Sequence, residues 1–359
     1  MRTVALTLAI VFAFLLEMPC AAFGLDHYKL LDLHVGNQRI TGRVLAHDDR
    51  SCWFLHRDGQ LQQIITETVT DFSEVSERFK PHSQMELKSQ LQSEFGKGFE
   101  VRTTSHYVVV GRRGATEAYA AIFEQIYRDF VRSFCARGFQ VAEPEFPLVA
   151  IVFPDQAAFI KYCHDERMPV QPGLVGYYLT SSNRVAMFER PNAADVDGTV
   201  IHEATHQVAF NTGIHSRLAK HPKWVVEGLA TVFEADGVRT RQDLTTPADR
   251  INRERYLWFR DYANSRRAAH SLIGLVREDL LFEKSPLDAY SEAWALSFFL
   301  IETRPAEYSK YLKRLTGRDP LADCDAQSRM KDFTDIFGSD TDGLETTFLR
   351  YIKRIADQR

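Results

Sequence analysis

His202-Glu203-Ala204-Thr205-His206 sets two imidazoles four residues apart with a carboxylate beside the first. On a helix that spacing returns to one face, so both rings address one point and Glu203 stands next to it. Two imidazoles suit a zinc ion, and a carboxylate that is not a ligand can hold a water and take its proton. The chemistry on offer is metal-assisted hydrolysis. Zinc in a catalytic role takes three protein donors and keeps a fourth position open. Downstream, Pro222 opens a second helix, KWVVEGLATVFEA. A short turn between two helices makes them antiparallel neighbours, which returns Glu227 alongside His202 and His206. His215 and His221, in the intervening loop, are rival donors with no helix to fix their direction.

H-E-x-x-H followed by a Glu in a W-x-x-E-G-x-A helix resembles the gluzincin metallopeptidases in their minimal, peptidase MA-like form. From about residue 27 to the C-terminus the chain also resembles an uncharacterised bacterial family of secreted proteins carrying HEATHQ and W-x-x-EGLA. The clan resemblance implies one Zn2+ on His202, His206 and Glu227, with Glu203 as general base toward a peptide or protein substrate. It also implies an oxyanion donor, a Tyr or His from a helical lobe. Tyr290, in AYSEAWAL, is the candidate, with His270 and Tyr256 as alternatives. Thr231 stands one turn after Glu227, where the clan often places an Asp, so it would orient the site more weakly. The clan further implies that the strand before the motif, Val185 to Phe188, lies at a sheet edge where an extended peptide can pair.

The elements that must position these residues are legible from their patterns. Gly198 and Thr199, with Asp197 before them, start the motif helix, and Asn211-Thr-Gly213 stops it. Ahead of it, GLVGYYL and RVAMFE form a hairpin across Thr180-Ser-Ser-Asn183. The unbroken apolar run FPLVAIVF (146–153) predicts a strand covered on both faces, and Asp155 caps the helix after it. Glu117 to Arg137 is an amphipathic helix whose aromatic stripe, including Phe123, Tyr127, Phe130 and Phe134, reads as core. Pro81 to Phe95 is a shorter helix. Beyond Ala235 come a linker and several helices, of which Arg250 to Arg267, with its mixed charges, reads as a solvated face.

Residues 27 to 72 alternate in short runs, with Asp58-Gly59 as a hairpin turn. The expected fold class is therefore α+β. A zincin-like catalytic domain (81–359) combines a mixed-sheet lobe (81–213) and a helical lobe (214–359), with the site in the cleft between them. A small antiparallel β-barrel-like domain (25–80) precedes it, either a spacer or a module for binding a partner.

The 359 residues are 45% hydrophobic and 26% charged, ordinary for a chain with a sizeable core. A net charge of -4 gives no reason to expect nucleic acid or an anionic membrane as partner. Arg2, the apolar run Val4 to Leu16 and Ala22-Phe-Gly24 read as a signal peptide over 1–24. That predicts a secreted or periplasmic protein with no stable membrane span once cleaved. Cys52, Cys135, Cys163 and Cys324 then remain, and Cys135–Cys163 is one conceivable pair. A protein-binding module without turnover, built on the same scaffold, is the alternative to an enzyme; the intact Glu203 favours the enzyme.

Overall fold

The computed structural model describes residues 29–189, 198–241, 243 and 245–356, with 76, 77 and 356 described by their backbone alone. The expected signal peptide and Asp197 lie outside the described residues. Two compact units divide the chain, one ending at Ser83 and the other beginning at Gln84.

In the first unit, β1 (Lys29–Val35), β2 (Gln38–His47), β3 (Ser51–His56), β4 (Leu61–Ile65) and β5 (Val69–Arg78) make one antiparallel sheet. Its order is β4-β3-β2-β1-β5. The barrel-like closure expected from the sequence does not form, because β4 and β5 end the sheet on opposite sides and do not pair with each other. Leu33, Cys52, Phe54 and Ile64 are buried together, with Leu31, Val35, Ile40 and Val44 packed on them, as the period-2 alternation requires.

The second unit is mixed α+β, with its sheet first and its helices after. It opens with α1 (Gln84–Phe95), β6 (Phe99–Thr103), β7 (Tyr107–Arg112), α2 (Thr116–Ala136), β8 (Leu148–Phe153), α3 (Gln156–Asp165), β9 (Gly176–Leu179) and β10 (Arg184–Phe188). The sheet runs β6-β7-β8-β10-β9, parallel in its centre and antiparallel at both edges. All six residues of β8 are buried. The aromatic stripe of α2 lies in the core on one side of the sheet, while Leu87, Leu91, Phe159 and Cys163 from α1 and α3 lie in the core on the other. The Asp155 carboxylate caps α3 by accepting the Ala158 N–H.

One expectation is overturned here. Val185 to Phe188 is not the edge: β10 lies between β8 and β9, and the edge is β9. Arg184 to Met187 are all buried, which suits a strand covered on both faces, whereas Tyr178 and Leu179 of β9 are half exposed.

The remainder is helical: α4 (Gly198–Asn211), α5 (Lys223–Phe233), α6 (Asp236–Arg239), α7 (Arg253–Ser265), α8 (Ser271–Arg277), α9 (Leu280–Lys284), α10 (Pro286–Thr303), α11 (Pro305–Thr316), α12 (Ala326–Phe337) and α13 (Thr341–Ala356). Buried along nearly its whole length, α10 is the axis against which α5, α7, α11 and α13 pack. The contact with α5 is so close that a Cβ on Gly228 would stand 2.3 Å from Ser297 Oγ and 2.4 Å from the Ala293 carbonyl oxygen. Only glycine fits there.

Most of Arg250 to Arg267 is the solvated helix face expected, with only Phe259 and Tyr262 buried in α7, but two arginines flanking that helix turn inward. Arg250 is buried on Glu302, and Arg267 is buried between Glu292 and Glu345. Arg266 pairs with Asp288. Arg250 and Arg267 point inward because α10 and α13 supply buried carboxylates that would otherwise be stranded, whereas Arg266 meets Asp288 from the exposed side. All four described cysteines are free thiols, with Cys163 buried and Cys135 exposed, so the conceivable pair does not form.

Candidate metal centre

The site is assembled by two helices held by different means. On the buried side of α4, Gln207 donates from Nε2 to the carbonyls of Val149 in β8 and of Asn183 in the β9–β10 turn, each at 2.9 Å. That pins the helix to the sheet and fixes the face carrying His202 and His206. Its antiparallel neighbour α5 is set by the glycine contact with α10, one residue beyond Glu227.

Three donors converge. Nε2 of His202 and Nε2 of His206 are 3.0 Å apart. Oε2 of Glu227 lies 3.3 Å from the first and 3.5 Å from the second. A tetrahedral zinc with bonds of about 2.0–2.1 Å separates its ligands by about 3.3–3.4 Å, so the triangle has the size of one face of such a site. The donor chemistry agrees. Nδ1 of His202 sits 2.8 Å from Oε1 of Glu234, and a carboxylate accepts, so Nδ1 carries the proton and Nε2 presents its lone pair to His206. Oε2 of Glu227 is buried and makes no hydrogen bond among the described residues. A shared proton satisfies one contact in this triangle, whereas a divalent cation satisfies all three, so the residues fit the metal. Among the described residues, only one other group of side chains has ligand atoms this close, His270, Asp342 and Glu345.

The charges respond to one another. Burial disfavours a charge on His202, but Glu227 and Glu234 outweigh it and hold its pKa well above the imidazole range. Burial likewise works against an ionised Glu227, yet the two histidines hold its carboxyl well below the ordinary range. Glu203 is raised by burial, against the pull of His202 and His206. Its Oε2 accepts the backbone N–H of Tyr178 at 2.8 Å, so the edge strand β9 ties this carboxylate in place.

Of the three oxyanion candidates, Tyr290 of α10 is the one beside these charges. Burial, then Glu227 and Glu203, push its hydroxyl well above the phenol range, which keeps it a hydrogen-bond donor. The ring of Tyr256 instead packs edge-on against Trp294. His270 is exposed and paired with Asp342 at 2.9 Å. Of the rival histidines, neither His215 nor His221 joins the donor group: their rings lie 5.1 Å apart, and Nε2 of His221 accepts the Ser216 N–H.

The orienting group is not Thr231, whose hydroxyl bonds back to the carbonyls of Glu227 and Gly228. It is Glu234, seven residues beyond Glu227 and thus two turns on along the same face. Asn252 steadies it, donating to Glu234 Oε2 at 2.7 Å and to the Thr231 carbonyl at 2.9 Å, while its own carbonyl oxygen caps α7. The Glu227-to-Glu234 spacing carries a readable signal for the first of these; Asn252, in the linker, carries none.

A comparison with curated proteins finds no match to the chain. Residues 196–322 match the profile of a family described as "Protein of unknown function (DUF1570)", a segment that takes in all three donors, Glu203, Glu234, Asn252 and Tyr290.

Proposed function

We propose that the chain is an exported zinc-dependent metallopeptidase of gluzincin type that hydrolyses peptide bonds. The observation that carries this reading is the convergence of His202, His206 and Glu227 with Glu203 held beside them by the edge strand. Zinc, when bound, supplies a Lewis acid that lowers the pKa of a bound water and polarises the scissile carbonyl. Glu203 accepts the proton of that water and passes it to the departing amine nitrogen. Tyr290 donates its O–H to the oxygen on which charge develops. Glu234 holds His202 in the tautomer that leaves Nε2 free, with Asn252 behind it. An extended substrate pairs along β9, which places a peptide bond next to the carboxylate that β9 itself positions. Export rests on the N-terminal sequence pattern.

Mass spectrometry of the full chain beside His206→Ala and Glu227→Ala tests the centre, with about one zinc per chain expected only in the parent. A peptide-library digest then tests turnover. Folded parent protein that takes up no zinc even when it is supplied would sink the proposal and leave the binding module as the better reading.

A further inference from the structure

Three arginines of α7, Arg253, Arg255 and Arg260, meet no carboxylate among the described residues, and of these only Arg255 is half-buried. Arg250, Arg266 and Arg267 each meet a carboxylate, whereas the Arg255 guanidinium has no acceptor among the described residues and its Nε is buried without a partner. It lies over the ring of Tyr290, 5.6 Å from the centroid. Its backbone is anchored at the cap of α7: Arg255 donates its backbone N–H to the Asn252 side chain, the same side chain that steadies Glu234 behind His202. The residue thus starts from the frame of the metal centre, and its cation lies beside Tyr290, which adjoins Glu227 and Glu203.

A second cation lies nearby. Lys223 is one helical turn before Glu227 on α5, with Nζ 5.6 Å from the ring of Phe282, and that ring meets Tyr290 edge-on at 5.4 Å. Lys223 also makes no ion pair among the described residues. The carboxylates of the centre answer to its histidines and to Asn252, which leaves the half-buried Arg255 beside the site without a carboxylate, with the exposed Lys223 close by. A half-buried guanidinium without an acceptor is costly unless an anion arrives to meet it.

We infer that Arg255, assisted by Lys223, forms a subsite for a carboxylate of the substrate, so that the peptides bound at this centre carry a negative charge on one side of the scissile bond. This rests on the peptidase reading for what happens to the peptide, but not for the recognition itself. The carboxylate has two sources, the free C-terminus of a short peptide or an Asp or Glu side chain within a longer one, and the arms of the test separate them.

The test uses the full chain carrying Glu203→Gln, which removes turnover, and reads binding by calorimetry with and without zinc. The probes are N-acetyl-tetra-alanine as the free acid, the same peptide as its C-terminal amide, and the amide with Glu as its third residue. One charged peptide should bind about 10- to 100-fold more tightly than the neutral amide, the range of a charge-assisted contact. Preference for the free acid identifies a C-terminal carboxylate, and preference for the Glu peptide identifies an acidic side chain. Arg255→Gln should erase the preference, and Arg255→Lys should keep part of it.

Equal binding of all three probes by the Glu203→Gln parent, or no binding of any, overturns the inference without recourse to an arginine variant. So does a preference that persists undiminished in Arg255→Gln. The two readings fail separately. A protein that binds no zinc yet shows an Arg255-dependent preference keeps the subsite and loses the peptidase, and one that binds zinc without any preference does the reverse.

Discussion

Replacing Gly228 with alanine tests whether the α5–α10 contact is what holds Glu227 in the triangle. A Cβ there would stand 2.4 Å from the Ala293 carbonyl oxygen and 2.9 Å from its carbon, where ordinary contact begins near 3.4 Å. The obstacle is backbone of a buried helix, so α5 must retreat by about 1 Å. Alanine gains about 1 kcal/mol over glycine in intrinsic helix preference, and overpacking costs about 1–3 kcal/mol; against unyielding backbone the upper end applies, so the net loss is about 2 kcal/mol. The larger consequence falls on the metal. Ligand distances tolerate shifts of about 0.2 Å, and Glu227 travels with its helix, so zinc affinity should fall by at least about tenfold. Urea unfolding of the metal-free protein reads the first effect, and competition with a chromogenic chelator reads the second. Adding Ser297→Ala removes the contact at 2.3 Å but not the carbonyl, so it should rescue neither. Unchanged zinc affinity and an unchanged urea midpoint in Gly228→Ala would refute the reasoning.

Other consequences follow from the same geometry. Glu203→Gln should retain zinc and lose hydrolysis, and full residual activity removes Glu203 from the mechanism. Glu234→Ala should weaken zinc about 10- to 100-fold by freeing the His202 ring, read by the same chelator competition; an unchanged affinity leaves Glu234 without an orienting role. Tyr290→Phe should lower turnover with zinc content intact, and wild-type turnover returns Tyr290 to the core. His221, half-buried and pushed down to about 4 by its desolvated ring, stabilises the fold above its ordinary value near 6.5. As pH falls from 6.5 to 4 the unfolded chain takes up a proton that the folded one refuses, so roughly 3 kcal/mol should be lost over that window. Urea titrations across it should show a shallower loss in His221→Gln, and an identical slope counts against the assignment.

Much of this architecture follows from short-range patterns. Two histidines four residues apart on a helix need no tertiary information, nor do the β9–β10 hairpin, the buried run of β8 or the stripe on α2. What could not be read depends on partners distant in the chain. Strand order in the sheet is set by which strand β10 meets across it, and nothing local distinguishes an inner strand from an edge one when the hairpin is the same. Arg250, Arg266 and Arg267 resemble a wet surface until the carboxylates of α10 and α13 arrive beside them. Asn252 and Arg255 reach the centre from a helix twenty-five or more residues beyond Glu227, through a cap and a ring contact that leave no periodic trace. Glu234 is legible from its two-turn spacing, although Thr231 stands closer to Glu227 in the chain.

The contact between Glu203 and β9 has a further consequence. Its donor is the Tyr178 backbone N–H, which every residue except proline supplies. The tether itself is therefore independent of the side chain at 178, whose hydroxyl separately donates to Asn183 Oδ1 at 2.9 Å while its ring packs on Phe210. The strand also lies outside the matched segment 196–322. For this tether the informative question to ask of relatives is whether position 178 ever becomes proline.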